Sequence, residues 1–265
     1  MAHPVRSRAE VLSTTPEGTR HRLVLRAARA APRVRPGHLA SLAADGGDGV
    51  LRECVPIVRA DAAAGTIELV VDRAPTGGAV DLIAPLGTPF PVPEQAVSAL
   101  LVGHAGHAAP LPALAGEIRA RGGQVGFLLG APTAAALHGV EQARALTQDV
   151  LVVTEDGSAG LPGPLADPVP QAVRAIGATV VHAAGPPAVL AAVARAAAGA
   201  GARCWTMTDT PMPCGTGLCA ACVLPVDGAD GVTRFARACT EGPVFDGARV
   251  RWDDLGGVPD GLVGG

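Results

Sequence analysis

The sequence predicts an α/β plus β protein in three successive parts: an N-terminal antiparallel β-barrel, a central parallel α/β domain and a small C-terminal module rich in cysteine. Three observations predict it. Short apolar runs broken by turn residues fill the first third of the chain. Strand-like apolar runs then alternate with helical patterns, the mark of a parallel sheet covered by helices. Four of the six cysteines fall between Pro213 and Phe245.

Residues 1–94 read as the barrel. The apolar runs are Ala9 to Leu12, Leu23 to Leu25, Leu39 to Leu42, Val55 to Val58, Thr66 to Val71 and Ala79 to Ala84. Between them stand turn-rich pieces such as Pro16-Glu17-Gly18, Pro36-Gly37 and Asp45-Gly46-Gly47-Asp48-Gly49. Strands this short, with turns this frequent, suit a small antiparallel barrel. The proline-rich stretch Pro85 to Pro93 ends the region like a linker.

Residues 95–208 read as a Rossmann-like domain. Ala99 to Val102, Val125 to Leu129, Asp149 to Thr154 and Thr179 to His182 are the buried strands. Helical patterns cover Ala113 to Arg121, Gln171 to Ile176 and Ala188 to Ala198. Such sheets bind nucleotides beyond the C-terminal ends of their strands. Gly103 follows the first strand, and Ala183-Ala184-Gly185-Pro186-Pro187 stands at another such end, directly before a helix.

Residues 209–265 carry the cysteines. Cys214, Cys219 and Cys222 are spaced C-x4-C-x2-C, and Cys239 follows after a longer excursion. That is the plant-type spacing of four thiolates around a 2Fe–2S cluster. A tight loop groups three sulfurs and a returning strand brings the fourth. Gly215 and Gly217 let the backbone curl and aim amide N–H groups at the sulfurs. Structural zinc usually draws on two separated C-x2–4-C knuckles, and disulfides belong to oxidising compartments. The cluster is the preferred reading, with zinc and disulfides as its alternatives. Val223 to Val226 and Thr233 to Ala236 read as a hairpin around Asp227-Gly228-Ala229-Asp230-Gly231.

Composition narrows the partners. Hydrophobic residues are 48% of the chain but aromatics only 2%, with no tyrosine, so the cores must be built from Ala, Val and Leu. Every basic side chain is arginine, and the net charge of −3 argues against a nucleic-acid surface. The first residues lack the apolar core of a signal peptide. The alanine-rich run Pro187 to Ala202 is too short and too weakly apolar to span a bilayer. A cytoplasmic protein without membrane or nucleic-acid partners is expected, in which clustered cysteines mean metal or redox chemistry.

The order of parts, with the ending Cys239-Thr240-Glu241-Gly242-Pro243-Val244-Phe245-Asp246, resembles the electron-transfer subunit of class 1B dihydroorotate dehydrogenase, a branch of the ferredoxin-reductase superfamily. Pro36-Gly37 is similar to the family's P-G-Q-F strand, and Asp81 to Phe90 to its D-I-x-G-P-L-G-x-x-F segment. Thr154 to Gly160 is similar to T-D-D-G-S-x-G, and Gly185 to Val193 to the G-x-P-x-M-L-x-x-V helix start. The resemblance implies an FAD-binding-type barrel over 1–94, a nucleotide-binding-type domain over 95–208 and a 2Fe–2S domain over 209–265. It implies Cys214, Cys219, Cys222 and Cys239 as cluster ligands. It also implies a hetero-oligomer in pyrimidine biosynthesis, in which electrons leave the FMN of a catalytic subunit and pass through the cluster and FAD to NAD.

Three family motifs are altered. R-R-P-x-S-I becomes Arg52-Glu53-Cys54-Val55-Pro56-Ile57, which keeps the first arginine but puts Pro56, without an N–H or hydroxyl, at the serine position. The flavin segment G-x-G-T-x-x-L is shortened in Val71 to Ala79, leaving Arg73, Gly77 and Gly78 as phosphate candidates. The nucleotide loop G-G-G-I-G-x-x-P reads Gly103-His104-Ala105-Gly106-His107-Ala108-Ala109-Pro110, and a cysteine usual near the nicotinamide is Ala184. By resemblance Arg52, Gly77 and Gly78 are assigned to FAD, and Gly103 and Gly185 to a nucleotide. The departures leave FAD open and weigh against NAD.

Other residues have plainer readings. His104 and His107 are polar loop residues rather than a metal pair. Cys54 and Cys204 are small buried side chains. Asp156 and Ser158 make a turn or touch a nucleotide, and Arg234 and Arg237 lie on a solvated strand face or meet a partner. No nucleophile–base arrangement stands out, so no catalytic residue is expected. The expected function is electron transfer within a dihydroorotate dehydrogenase. The alternatives are a flavin-free iron–sulfur relay, a reductase subunit serving another oxidoreductase, and a degenerate regulatory subunit with a structural metal.

Overall fold

The computed structural model describes residues 3–18, 20–44, 52–257, 259 and 262. The expected turn Asp45 to Gly49 lies outside the described residues. Strands β1 (Val5–Glu17), β2 (Arg20–Arg26), β3 (Leu39–Ala44), β4 (Glu53–Asp61), β5 (Thr66–Val71) and β6 (Ala79–Leu86) close a barrel in the order β1-β2-β5-β4-β3-β6. Neighbours are antiparallel throughout. Each apolar run expected in this region has its strand. β1 runs on through Pro16, expected in the turn, because the hairpin closes tightly with Glu17 opposite Arg20. Alternate residues face inward, so Leu23 and Leu25, Val55 and Ile57, Ile67 and Leu69, and Val80 and Leu82 share one aliphatic core.

The second sheet is built on β7 (Ser98–His104), β8 (Gln124–Ala131), β9 (Val150–Thr154), β10 (Leu161–Pro162), β11 (Val180–Gly185) and β12 (Arg203–Thr208). A hairpin of β13 (Val223–Asp227) and β14 (Thr233–Arg237) follows, and then β15 (Val244–Asp246). The helices are α1 (Leu111–Ala120), α2 (Val140–Leu146), α3 (Val169–Ile176) and α4 (Pro187–Gly199). The sheet order is β10-β9-β8-β7-β11-β12-β15, parallel except for the antiparallel edge strand β15. Strand order therefore reverses between β7 and β11, which makes their C-terminal ends the topological switch point of the sheet. On α4, Leu190, Val193, Ala194 and Ala197 recur at helical spacing and pack on Leu100, Val102 and Val181.

The stretch expected as a linker is partly core. Leu86 belongs to β6, and Phe90 is fully buried with its ring edge-on to His182. Three of the chain's four phenylalanines, Phe90, Phe127 and Phe245, are buried.

Contacts gather the chain into two compact units. One comprises Met1–Pro89, Pro211–Val223 and Arg237–Pro243, and the other Phe90–Thr210, Leu224–Ala236 and Val244–Gly265. All four cysteines of the loop thus group with the barrel, while the hairpin and the final strand group with the α/β sheet. Among the described residues no helix is long and apolar enough to cross a membrane.

Candidate metal centre

The cysteine loop is shaped by two glycines. Gly215 has φ +65° and Gly217 φ +82°, both left-handed. A side-chain carbon at 215 would stand 2.5 Å from Cys54 Sγ and 2.9 Å from Ser41 Oγ; one at 217 would stand 3.0 Å from Thr240 Cγ2. Both positions require glycine for backbone and for space. The turn so formed brings the Thr216 amide to Cys214 Sγ, to which it donates at 3.4 Å.

The return limb is set by the hairpin. The Ala238 amide donates to Cys222 O at 2.9 Å, which carries Cys239 Sγ to 3.4 Å from Cys222 Sγ. Arg237 braces the loop: its amide donates to Glu241 Oε2 at 2.9 Å and its guanidinium to Gly217 O at 3.3 Å. Arg234 pairs with Asp230 instead.

Two of the four sulfurs touch: Cys222 and Cys239 are buried side by side. Cys219 is exposed and Cys214 half-buried on the outer limb of the loop. Among the described residues no group of three or more His, Cys, Asp or Glu is set to hold one ion. A tetrahedral zinc site gathers four donors round a single ion. A two-iron cluster divides four thiolates, two to each iron, and the adjacent sulfurs of Cys222 and Cys239 supply one such pair. The donor chemistry, four thiols in one glycine-turned loop and its return limb, fits a 2Fe–2S cluster.

Cys214 and Cys239 differ in proton affinity. Burial pushes the Cys214 thiol up, but the amides of Thr216 and Cys219 outweigh it and bring the group down to about 6. Burial, with the Cys222 thiol beside it, pushes Cys239 up to about 12. Of these two, Cys239 holds its proton the more tightly, and iron binding must displace it.

Beneath the loop lies Arg52. Its amide donates to Pro213 O at 3.0 Å. Its Nε donates to Ser41 Oγ at 2.8 Å, and Nη2 donates to Ser41 O at 3.0 Å and Asp81 O at 2.7 Å. Cys54 stands opposite Ser41 in the β3–β4 pairing.

The residues singled out for flavin and nucleotide are dispersed. Arg52 has spent its donors on Ser41 and Asp81 of the neighbouring barrel strands. Gly77 and Gly78 lie exposed between β5 and β6, with nothing within 4 Å of the place a Gly78 side chain would take. These three form no phosphate cradle. Gly103 and Gly185 do meet at the switch point, ending β7 and β11. Their spaces are filled from within: a side-chain carbon at 103 would stand 2.5 Å from Ala108 Cβ, and one at 185 would stand 3.2 Å from His104 Cβ. The residues present do not fit a dinucleotide pyrophosphate there.

The two histidines of that loop have acquired carboxylates. His107 bonds Asp209 Oδ2 through Nε2 at 2.8 Å and the carbonyl of His104 through Nδ1 at 3.0 Å. His104 Nε2 lies 3.8 Å from Glu155 Oε1. Sequence reasoning missed both acids because they come from distant strand ends. Asp156 accepts the amide and hydroxyl of Ser158 and so closes a turn, and Cys204 is buried in β12.

Comparison with known proteins follows the same lines. A family model described as the iron-sulfur cluster binding domain of dihydroorotate dehydrogenase B matches residues 209–251. The dihydroorotate dehydrogenase B electron transfer subunit homolog of Thermotoga maritima is 33% identical over 176 residues, which is 66% of this chain and 60% of the relative. The electron transfer subunit of Geobacillus thermodenitrificans is 33% identical over 200 residues, 75% of this chain and 74% of the relative. The chain thus spans less than two thirds of the first relative's length. A solved NADH-dependent reduced ferredoxin-NADP oxidoreductase superposes with a TM-score of 0.79 at 24% identity, covering 94% of this chain and 91% of that one. That likeness is one of fold.

Proposed function

The chain belongs to the family of dihydroorotate dehydrogenase B electron-transfer subunits, and from that premise we propose that it relays electrons from the FMN of a catalytic subunit through a 2Fe–2S cluster held by Cys214, Cys219, Cys222 and Cys239. The observation that carries the reading is the glycine-turned loop in which the Thr216 amide donates to Cys214 Sγ and Cys222 and Cys239 stand 3.4 Å apart. When bound, the cluster supplies a one-electron station.

The protein's own residues do the holding and the shielding. Cys214, Cys219, Cys222 and Cys239 would hold the cluster through their sulfurs. The Thr216 amide donates to the sulfur of Cys214 and stabilises its negative charge. Burial of Cys222 and Cys239 keeps water from the inner side, while the exposed segment Leu218 to Ala221 presents the outer side to the catalytic subunit. FAD and NAD rest on the family rather than on Arg52, Gly77, Gly78, Gly103 or Gly185, so no electron step is routed through either. Six free cysteines suit a reducing cytoplasm, where the proposal places the complex.

Anaerobic purification with the catalytic subunit tests the reading by iron, sulfide and flavin quantitation. Two irons and two sulfides per chain, with dihydroorotate-dependent bleaching of the visible bands, are the expected result. Iron-free protein, or zinc in its place, sinks the proposal. One equivalent of releasable FAD extends the relay to a flavin in this chain; none leaves a cluster-only relay.

A further inference from the structure

The barrel surface under the cysteine loop carries a chain of polar groups that the relay has not yet used. It begins at the Arg52 guanidinium, one-sixth exposed, whose Nε donates to Ser41 Oγ at 2.8 Å. Ser41 is fully buried, and its hydroxyl, which accepts from Arg52, faces the same point of the loop as Cys54, its partner on the adjacent strand: a side-chain carbon at Gly215 would stand 2.9 Å from Ser41 Oγ. Cys54 in turn lies against the loop: a side-chain carbon at Gly215 would stand 2.5 Å from its Sγ. Gly215 directly follows Cys214, so the chain of donors ends beside a cluster ligand. We propose that Arg52, Ser41 and Cys54 form an outer-sphere hydrogen-bond relay that raises the reduction potential of the cluster.

The effect is electrostatic and rests on the cluster reading given above. Adding an electron makes an already negative cluster more negative. Donors and positive charge aimed at it stabilise the reduced state, and hydrogen bonding near the sulfurs is an established control on such potentials. Arg52 supplies the charge, and its carboxylate partner Asp81 is shared with Arg6, so the charge is not fully cancelled locally. Ser41 and Cys54 carry the polarisation inward, since each donor in a chain strengthens the next. Cys54 is the link that sequence reading set aside as a small buried side chain. Its place opposite Ser41, in register on adjacent strands, is what turns three separate residues into one path. The same geometry gives Arg52 a task at the cluster in place of flavin phosphate.

Potentiometric titration of the full chain, with iron and sulfide measured on each sample, tests this. C54A is expected to keep its full iron and sulfide but to bind the electron roughly tenfold less tightly, a midpoint more negative by about 59 mV for a one-electron couple. S41A should shift the same way, and the double variant no further than the larger single shift, because the two act in series. C54S keeps a donor at the position and should stay near the wild-type midpoint. An unchanged midpoint in both C54A and S41A overturns the relay. So does loss of iron in C54A, which would make Cys54 a ligand or a structural support. Wild-type protein without iron would instead refute the cluster reading itself, and that is measured before any variant is made.

Discussion

His182 shows how much a single buried residue can couple this protein to its solvent. It sits on β11, fully buried, with Phe90 edge-on and no hydrogen-bond partner at either ring nitrogen. Burial pushes its imidazole down to about 3 from an ordinary value of 6.5. Below about pH 6.5 the unfolded chain takes up a proton that the folded one refuses. Stability is therefore lost as pH falls from about 6.5 toward 3, at up to about 1.4 kcal/mol per pH unit for this one group. Melting temperatures at pH 7.5 and pH 5 should show a smaller acid-induced drop for His182→Leu than for wild type; equal drops would refute the assignment. Residues differ in how far they declare themselves in sequence. The cluster cysteines are legible because three of the four lie within one loop, so their spacing is local. The partners of His104 and His107 are not, since Asp209 stands 102 positions from His107. Arg52 illustrates a third case, where a motif match names the residue but its hydrogen bonds to Ser41 and Asp81 decide what it touches.

Among the elements, the cysteine loop combines a buried inner limb with an open rim. Leu218 is 88% exposed, and Cys219, Ala220 and Ala221 beside it are exposed as well. An apolar residue held out beside a redox centre suits a contact with the catalytic subunit, where its burial would contribute about 1.5–3 kcal/mol. Leu218→Glu should weaken copurification with that subunit roughly tenfold or more while leaving iron per chain unchanged; undiminished binding would rule the rim out as the contact. Sequence pattern located the six barrel strands and the four main parallel strands, because alternation and apolar runs are strong signals over five residues or more. It passed over α2, β12 and β15. α2 has one buried residue, Ala143, so it carries no apolar stripe. β15 is three residues long, too short for a period, and is defined by pairing with β12 and by the Arg203–Asp246 ion pair.

At the scale of the whole molecule, chain order and contact grouping diverge. The cysteine loop and its return limb group with the barrel, and the hairpin between them groups with the α/β sheet. Residues 209–265 therefore lack Ser41, Arg52 and Cys54, on which Gly215 rests. Expressed alone, that fragment should hold little or no iron under conditions that load the full chain; stoichiometric loading would show the loop to be self-sufficient. The same arrangement bears on how the protein is made. The barrel residues that seat the loop are synthesised early, while Cys239 emerges only after strands β7 to β12 of the α/β sheet. Closing the site joins residues far apart in sequence, the slow kind of contact in folding. A four-thiolate site can form only once Cys239 has been made, and until then the Ser41–Cys54 face of the barrel lacks the limb that closes over it.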